Sequence, residues 1–258
     1  MHPSSLATEN LCGYMTYAVE MSSWTTKRIG NLLLTINGRQ DSLFNYVFCN
    51  NGSADESAKA ALAAWKYLQD AKTDATWVVD SQMKLWKNLV DKMGLNSPTV
   101  MKKVYAPIQK VRTLSKRRPD LVLERVTDDL SLTVLDELAV KIFYCNTNDL
   151  IILLRGVVKR EQSRLKFFIA KLSDTVVGIC GMYVQGDVVG LYSDGVLPEY
   201  RNMGIASEMV LRRLEIASSL FGCRYAVAQC VTQSVSLYEK LGFRVTGNLF
   251  LYPSLAAQ

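Results

Sequence analysis

The chain has 258 residues, 49% of them hydrophobic and 21% charged, with a net charge of +6, a composition suited to one large or two ordinary globular domains with a sizeable core. Its one histidine is His2, and its six cysteines include no Cys-x-x-Cys pair. This excludes Ser-His-Asp and Cys-His triads and leaves no expectation of a metal site or a disulfide framework. No apolar run approaches the roughly 20 residues of a spanning helix, and the N-terminus lacks the order of a secretory signal, so a cytoplasmic protein without a membrane partner is expected.

In the first half, Arg28–Ile36 reads as a strand closed by an Asn37-Gly38 turn that leads into another strand. Trp77-Val78-Val79 reads as a strand. Leu89–Met93 reads as a helix stopped by Gly94, with Leu95 re-entering the core. Trp65, Trp77 and Trp86 are expected to pack in a core or between domains rather than to form a ligand cage. Between Met101 and Pro119 lie Lys102, Lys103, Lys110, Arg112 and Lys116–Arg118. These read either as a solvated linker or as a patch for an anionic partner. Without interleaved aromatics, no nucleic-acid surface is indicated.

The second half reads as a strand near Leu121–Val126 and helices near Leu132–Phe143 and Asp149–Glu161. Strands follow at Leu165–Leu172, Val176–Gln185 and Val188–Val196, then a helix to Phe221. A strand near Arg224–Gln229, a helix near Gln233–Leu241 and a strand near Phe243–Tyr252 complete it. This is an α+β pattern. The strand-to-helix turn, Val196 to Ala206, puts Arg201 and Gly204 where a helix presents unpaired N–H groups, a pattern suited to a pyrophosphate. An ordinary turn would read the same way.

Shifting the chain by 148 residues lays Arg28–Gly38 over Val176–Gly186, Trp77–Val79 over Tyr225–Val227, and Leu89–Leu95 over Leu237–Phe243. Several matches at one offset indicate a duplicated unit. At the same offset Asn50–Ala58 falls on Pro198–Ala206, with Asp55 and Glu56 where a pyrophosphate would be repelled and no counterpart of Arg201. Val90 stands at the place of Tyr238. No room precedes Met1 for the opening strand and helices of a full unit.

The ordered pair Arg201-x-x-Gly204-x-Ala206 and Leu237-Tyr238-Glu239-Lys240-Leu241-Gly242-Phe243, 34 residues apart from Gly204 to Tyr238, resembles the GCN5-related N-acetyltransferase (GNAT) family. The first pattern is similar to its [Gln/Arg]-x-x-Gly-x-[Gly/Ala] acetyl-CoA loop and the second to its Leu-Tyr-Glu-Lys-x-Gly-Phe segment. The resemblance implies two GNAT-like units, each a mixed, mostly antiparallel sheet flanked by helices. Residues 1–110 would be a truncated, degenerate unit, 111–120 a basic linker and 121–258 the N-acetyltransferase domain.

It further implies acetyl-CoA as co-substrate, with its pantetheine arm along the strand edge at Val196 and Leu197. A backbone N–H nearby would polarise the thioester carbonyl, and the N–H groups of Arg201, Asn202, Met203, Gly204, Ile205 and Ala206 would hold the pyrophosphate. An acetyl group would pass directly to a primary amine of a small molecule or protein, with Tyr238 as general acid. Packing alone is the competing role for Tyr238. Asp194 is the candidate base, or else a solvated turn carboxylate. Where many members carry an Asn seven residues before the Tyr, this chain has Val231, with Gln233 and Ser234 close by. Cys230 is expected to be a buried, inert thiol. The alternative is a silent CoA-binding or protein-interaction module. The acceptor and the oligomeric state carry no sequence signal.

Overall fold

The computed structural model describes residues 3–22, 24–37, 44–50, 52–112, 117–143 and 148–254. In chain order these form α1 (Pro3–Glu20), β1 (Thr25–Ile29), β2 (Leu32–Ile36), β3 (Tyr46–Cys49), α2 (Ala54–Asp70), β4 (Ala75–Asp80), α3 (Lys84–Asp91) and β5 (Thr99–Pro107). There follow β6 (Leu121–Arg125), α4 (Asp129–Phe143), α5 (Asn148–Val158), β7 (Leu165–Leu172), β8 (Thr175–Gln185) and β9 (Val188–Val196). The chain closes with α6 (Ile205–Phe221), β10 (Tyr225–Cys230), α7 (Val235–Lys240) and β11 (Arg244–Ser254). The α+β class holds.

The chain forms two compact units. The larger joins the residues up to Tyr14 with Lys103–Thr246; the smaller joins Met15–Lys102 with the residues from Gly247. The division therefore follows compactness rather than chain order, whereas boundaries at 110 and 121 were expected.

In the smaller unit the strands run β1-β2-β3-β4-β11. The first three are joined antiparallel, β3 and β4 are parallel across α2, and β11 returns antiparallel to β4. Ser53 caps α2, its side chain accepting from the Glu56 N–H. Trp77 and Trp86 are buried in this core with Trp65 packed against it, ring centroids 6.3 Å and 5.8 Å apart in sequence.

Three expectations need correction. Arg28–Ile36 is not one strand: Gly30, at φ +56°, and Asn31 turn the chain between β1 and β2. The residues laid over them sit inside β8, so the 148-residue register fails there, although the later elements recur in the same order. Gly38 lies outside the described residues, as do His2, Asn51, Lys116 and Cys145. Second, α1 precedes the first strand where no helix was expected. Its buried positions include Leu6, Asn10, Tyr14, Met15, Tyr17 and Val19, and the opposite face carries Ser5, Cys12, Gly13 and Thr16 beside Glu9 and Glu20, too few charges to mark a polar side in the sequence. Third, the basic stretch is not free linker. It contains the end of β5, where fully buried Lys103 donates through Nζ to the Ser4 carbonyl at 2.6 Å.

The larger unit repeats the same order. β6, β7, β8 and β9 are antiparallel neighbours, β10 lies parallel to β9 across α6, and β5 flanks β10. Helix α6 turns Ile205, Met209, Val210, Leu214 and Ala217 into a core with Cys180, Met182, Val189, Leu191 and Ala226. It ends at Gly222 (φ +64°), whose N–H bonds the Ser218 carbonyl.

Two glycines fix the strand spacing beside the cleft described below. A Cβ on Gly178 in β8 would lie 2.4 Å from the Gly195 carbonyl oxygen of β9. A Cβ on Gly195 would lie 2.3 Å from Cγ2 of Ile142, so the end of α4 rests on that glycine. Gly178→Ala therefore collides with main chain that cannot swing aside. We expect it to cost about 2 kcal/mol, within the range for overpacked buried sites. An unchanged urea midpoint would contradict this packing.

Candidate functional site

Strands β9 and β10 pair from Val188–Tyr225 to Leu191–Ala228; beyond that point β9 continues to Val196 without pairing to β10. A cleft of about 800 Å³ lies in this part of the unit. Its lining includes Asp194, Gly195 and Val196 on β9, Arg201, Asn202, Gly204, Ile205 and Ala206 at the start of α6, and Val231, Gln233 and Ser234 after β10. Lys240 of α7 adds a second cation, and Ile142 and Phe143 close one side from α4.

The loop before α6 is built of left-handed residues. Asn202 has φ +62° and Gly204 φ +78°, and such alternation turns successive N–H groups toward one point. The first N–H of α6 bonded back into the chain is that of Glu208, to the Gly204 carbonyl at 3.1 Å. Among the described residues, none accepts from the main-chain N–H groups of Asn202 to Ser207. Nothing lies within 4 Å of a Cβ built on Gly204, so the space above this glycine is open to a ligand. Donors without partners at a helix N-terminus, open space, and the cations Arg201 and Lys240 fit a pyrophosphate.

Arg201 also donates from Nε to the Val196 carbonyl at 3.0 Å, which bends the loop over the strand end. The Leu197 N–H is engaged with the Val177 carbonyl at 2.9 Å. Neither Leu197 nor Met203 is among the cleft-lining residues. Arg118, expected as linker, instead braces the loop: its Nη1 donates to the Met203 carbonyl at 3.2 Å. Arg117 is tied to α6, paired with buried Glu208 at 2.8 Å and with Glu215 at 2.7 Å.

Asp194 lines the cleft and meets Tyr238, which is not itself among the cleft-lining residues. The Tyr238 hydroxyl donates to Oδ2 of Asp194 at 2.9 Å, across 44 residues of sequence. A β-bulge places the carboxylate there. Gly181 faces Tyr192 and Ile179 faces Gly195, so Ser193 and Asp194 both stand opposite Cys180, with Ser193 at φ +53°. Bulges re-aim a side chain in this way. Tyr238 itself is buried, edge-on to Phe243 at 5.2 Å between ring centroids.

Arg213, which the sequence reading missed, is the third member. It is fully buried on α6, ion-paired to Oδ1 of Asp194, and donates to the carbonyls of Gly181 at 2.5 Å and Met209 at 3.2 Å. The signal was present: Ile205, Met209, Arg213 and Ala217 recur every four residues on the apolar stripe of α6, and a charge in that stripe has no packing explanation.

Burial pushes the Asp194 carboxyl above the usual carboxylate range, with Arg213 and the Tyr238 hydrogen bond opposing the shift. Burial first, then the Asp194 charge, raises Tyr238 well above an ordinary phenol. Cys230 is pushed up to about 11 by burial, so its thiol stays protonated. Among the described residues no cluster of His, Cys, Asp or Glu could hold a metal ion, and no helix is long and apolar enough to cross a membrane.

In the smaller unit residues 50–53 link β3 to α2, where residues 197–204 link β9 to α6. The loop that carries the unpaired donors is thus shortened, and acidic Asp55 and Glu56 occupy the first turn of α2.

Residues 136–243 match the family model of the Acetyltransferase (GNAT) family. No curated protein matches the chain by sequence. Among solved structures, a GCN5-related N-acetyltransferase from Kribbella flavida superposes with a TM-score of 0.77 at 9% identity, covering 97% of this chain and 96% of that one. A GCN5-related N-acetyltransferase from Sphaerobacter thermophilus gives 0.66 at 12% identity, over 87% of this chain and 76% of that one. A tandem GNAT protein from the clavulanic acid biosynthesis pathway gives 0.63 at 13% identity, over 96% and 88%. At these identities the likeness is one of fold, and it extends over both halves.

Proposed function

From the match of residues 136–243 to the GNAT acetyltransferase family, we propose that this chain transfers an acetyl group from acetyl-CoA directly to a primary amine of a small molecule or protein. The observation that carries the reading is one cleft lined both by residues of the N–H-rich loop at Asn202–Ser207 and by Asp194, whose carboxylate the buried Tyr238 hydroxyl bonds from behind that lining. Bound there, acetyl-CoA would supply the acetyl group as a thioester and a thiolate as leaving group.

The loop donors with Arg201 and Lys240 hold the phosphates, and the open β9 edge takes the extended arm. As the amine nitrogen bonds to the acetyl carbon and the carbon–sulfur bond breaks, Asp194 accepts the proton the amine releases. Tyr238 gives its hydroxyl proton to the departing sulfur and takes back the one on Asp194. The charge of Asp194 is one of the causes that raise Tyr238; neutralising that carboxylate therefore makes the phenol a stronger acid at the moment a donor is needed. The pair balances one proton taken against one given.

The test is thiol release from acetyl-CoA with a panel of primary amines. Release matched by amide formation supports transfer. Acetyl-CoA binding with thiol release that is independent of the amine would replace it with hydrolysis.

A further inference from the structure

The geometry points to Arg213 as the positioning residue of this centre: a fixed cation that holds the Asp194 carboxylate aimed at Tyr238, in the form able to receive the amine proton. The inference rests on the acetyl-transfer reading and goes beyond it to a residue that never touches the cleft.

Arg213 is a costly residue for its place. It is fully buried on the core face of α6, where its neighbours along the stripe are Ile205, Met209 and Ala217. A buried ion pair is weak evidence for stability, because apolar residues of similar volume serve a core as well or better. Each end of the guanidinium has a task. Nε returns to the Met209 carbonyl one turn back, Nη1 donates to Gly181 on β8, and Nη2 meets Oδ1 of Asp194. Gly181 lies in the strand facing the bulge that carries Asp194. The cation is therefore anchored to the backbone beside the carboxylate it faces.

Asp194 has one oxygen on Arg213 and the other on Tyr238. Turning the carboxyl would break both contacts, so its orientation toward the phenol is set from behind. The other titratable groups that interact with Asp194 are the thiols of Cys180 and Cys230, pushed up to about 12 and about 11 by burial. Both are neutral at physiological pH. Among the described residues, Arg213 is thus the cation that offsets the burial of Asp194, and its loss would leave the carboxyl protonated to higher pH.

The experiment compares wild type with Arg213→Gln and Arg213→Lys, recording kcat and KM for acetyl-CoA against pH, acetyl-CoA affinity by calorimetry, and melting temperature. In Arg213→Gln we expect affinity and KM within about twofold of wild type, kcat at neutral pH down at least tenfold, and the acid limb of the kcat profile moved up by at least one pH unit. Arg213→Lys, which keeps the charge, restores the limb to its wild-type position. A folded Arg213→Gln with an unmoved limb overturns the inference, as does a limb equally displaced in both variants. If Arg213→Gln does not fold, Arg213→Lys decides alone: a limb held in place with a reduced kcat supports the role, and a displaced limb refutes it. Wild type that binds no acetyl-CoA would remove the transfer reading itself, a result distinct from any of these.

Discussion

Gly204→Glu is expected to lower acetyl-CoA affinity at least about 100-fold, because like charges brought together cost several kcal/mol and 1.4 kcal/mol is tenfold. The glycine stands at φ +78° where the chain enters α6, and no protein atom lies within 4 Å of a Cβ built there. A side chain at this position therefore displaces ligand and not protein. The left-handed backbone adds about 1–2 kcal/mol of strain for any other residue, so Gly204→Ala separates strain from charge. The alanine should lose stability but keep most of the affinity. Asp55→Ala and Glu56→Ala, at the start of α2, should leave affinity unchanged, since that helix follows the shortened loop of residues 50–53. Calorimetric titration of the four variants reads all of these effects, and an affinity that responds to Asp55 or Glu56 would contradict the assignment of one working loop.

Tyr238→Phe is expected to retain acetyl-CoA affinity within about twofold and to lower kcat by about 100-fold or more, the range found for loss of a general acid. Among the described residues the phenol hydroxyl makes one polar contact, to Asp194, and the ring packs against Phe243, so phenylalanine keeps the packing and loses the proton. The pH profile follows from the directions of the two shifts. Activity should rise as pH passes upward through the raised Asp194 value, because the carboxylate must be ionised to take a proton. No basic limb from Tyr238 is expected in the physiological range, since its hydroxyl is held well above ordinary phenols. An unchanged kcat in the folded Phe variant would take Tyr238 out of the chemistry.

The second half was legible because its signals are local. The strands Leu165–Leu172 and Val188–Val196 begin and end where the sequence reading placed them, and the loop with Gly204 announced itself by residue type. What was not legible depends on distant partners. The Asp194 carboxylate could be noticed, but its aim comes from a bulge at Ser193 set by pairing with β8, and no spacing in the sequence records it. Arg213 is explained only by that aim. The start of α1 goes with the larger unit, including a Tyr192 hydroxyl that donates to Asn10 at 2.7 Å across 182 residues; its less buried face carries small or neutral Ser5, Cys12, Gly13 and Thr16, which hid the periodicity by which helices are read. The first half misled for a related reason: a constant offset cannot survive a hairpin at Gly30 in one copy and an unbroken strand in the other.

The central claim is that two halves of one fold carry one acetyl-CoA site. The most direct measurement is the stoichiometry of acetyl-CoA binding to the intact chain by calorimetry. One molecule bound per chain, and none in Gly204→Glu, is the result this structure predicts. Two per chain, one per chain that survives Gly204→Glu, or no binding at millimolar acetyl-CoA would contradict it.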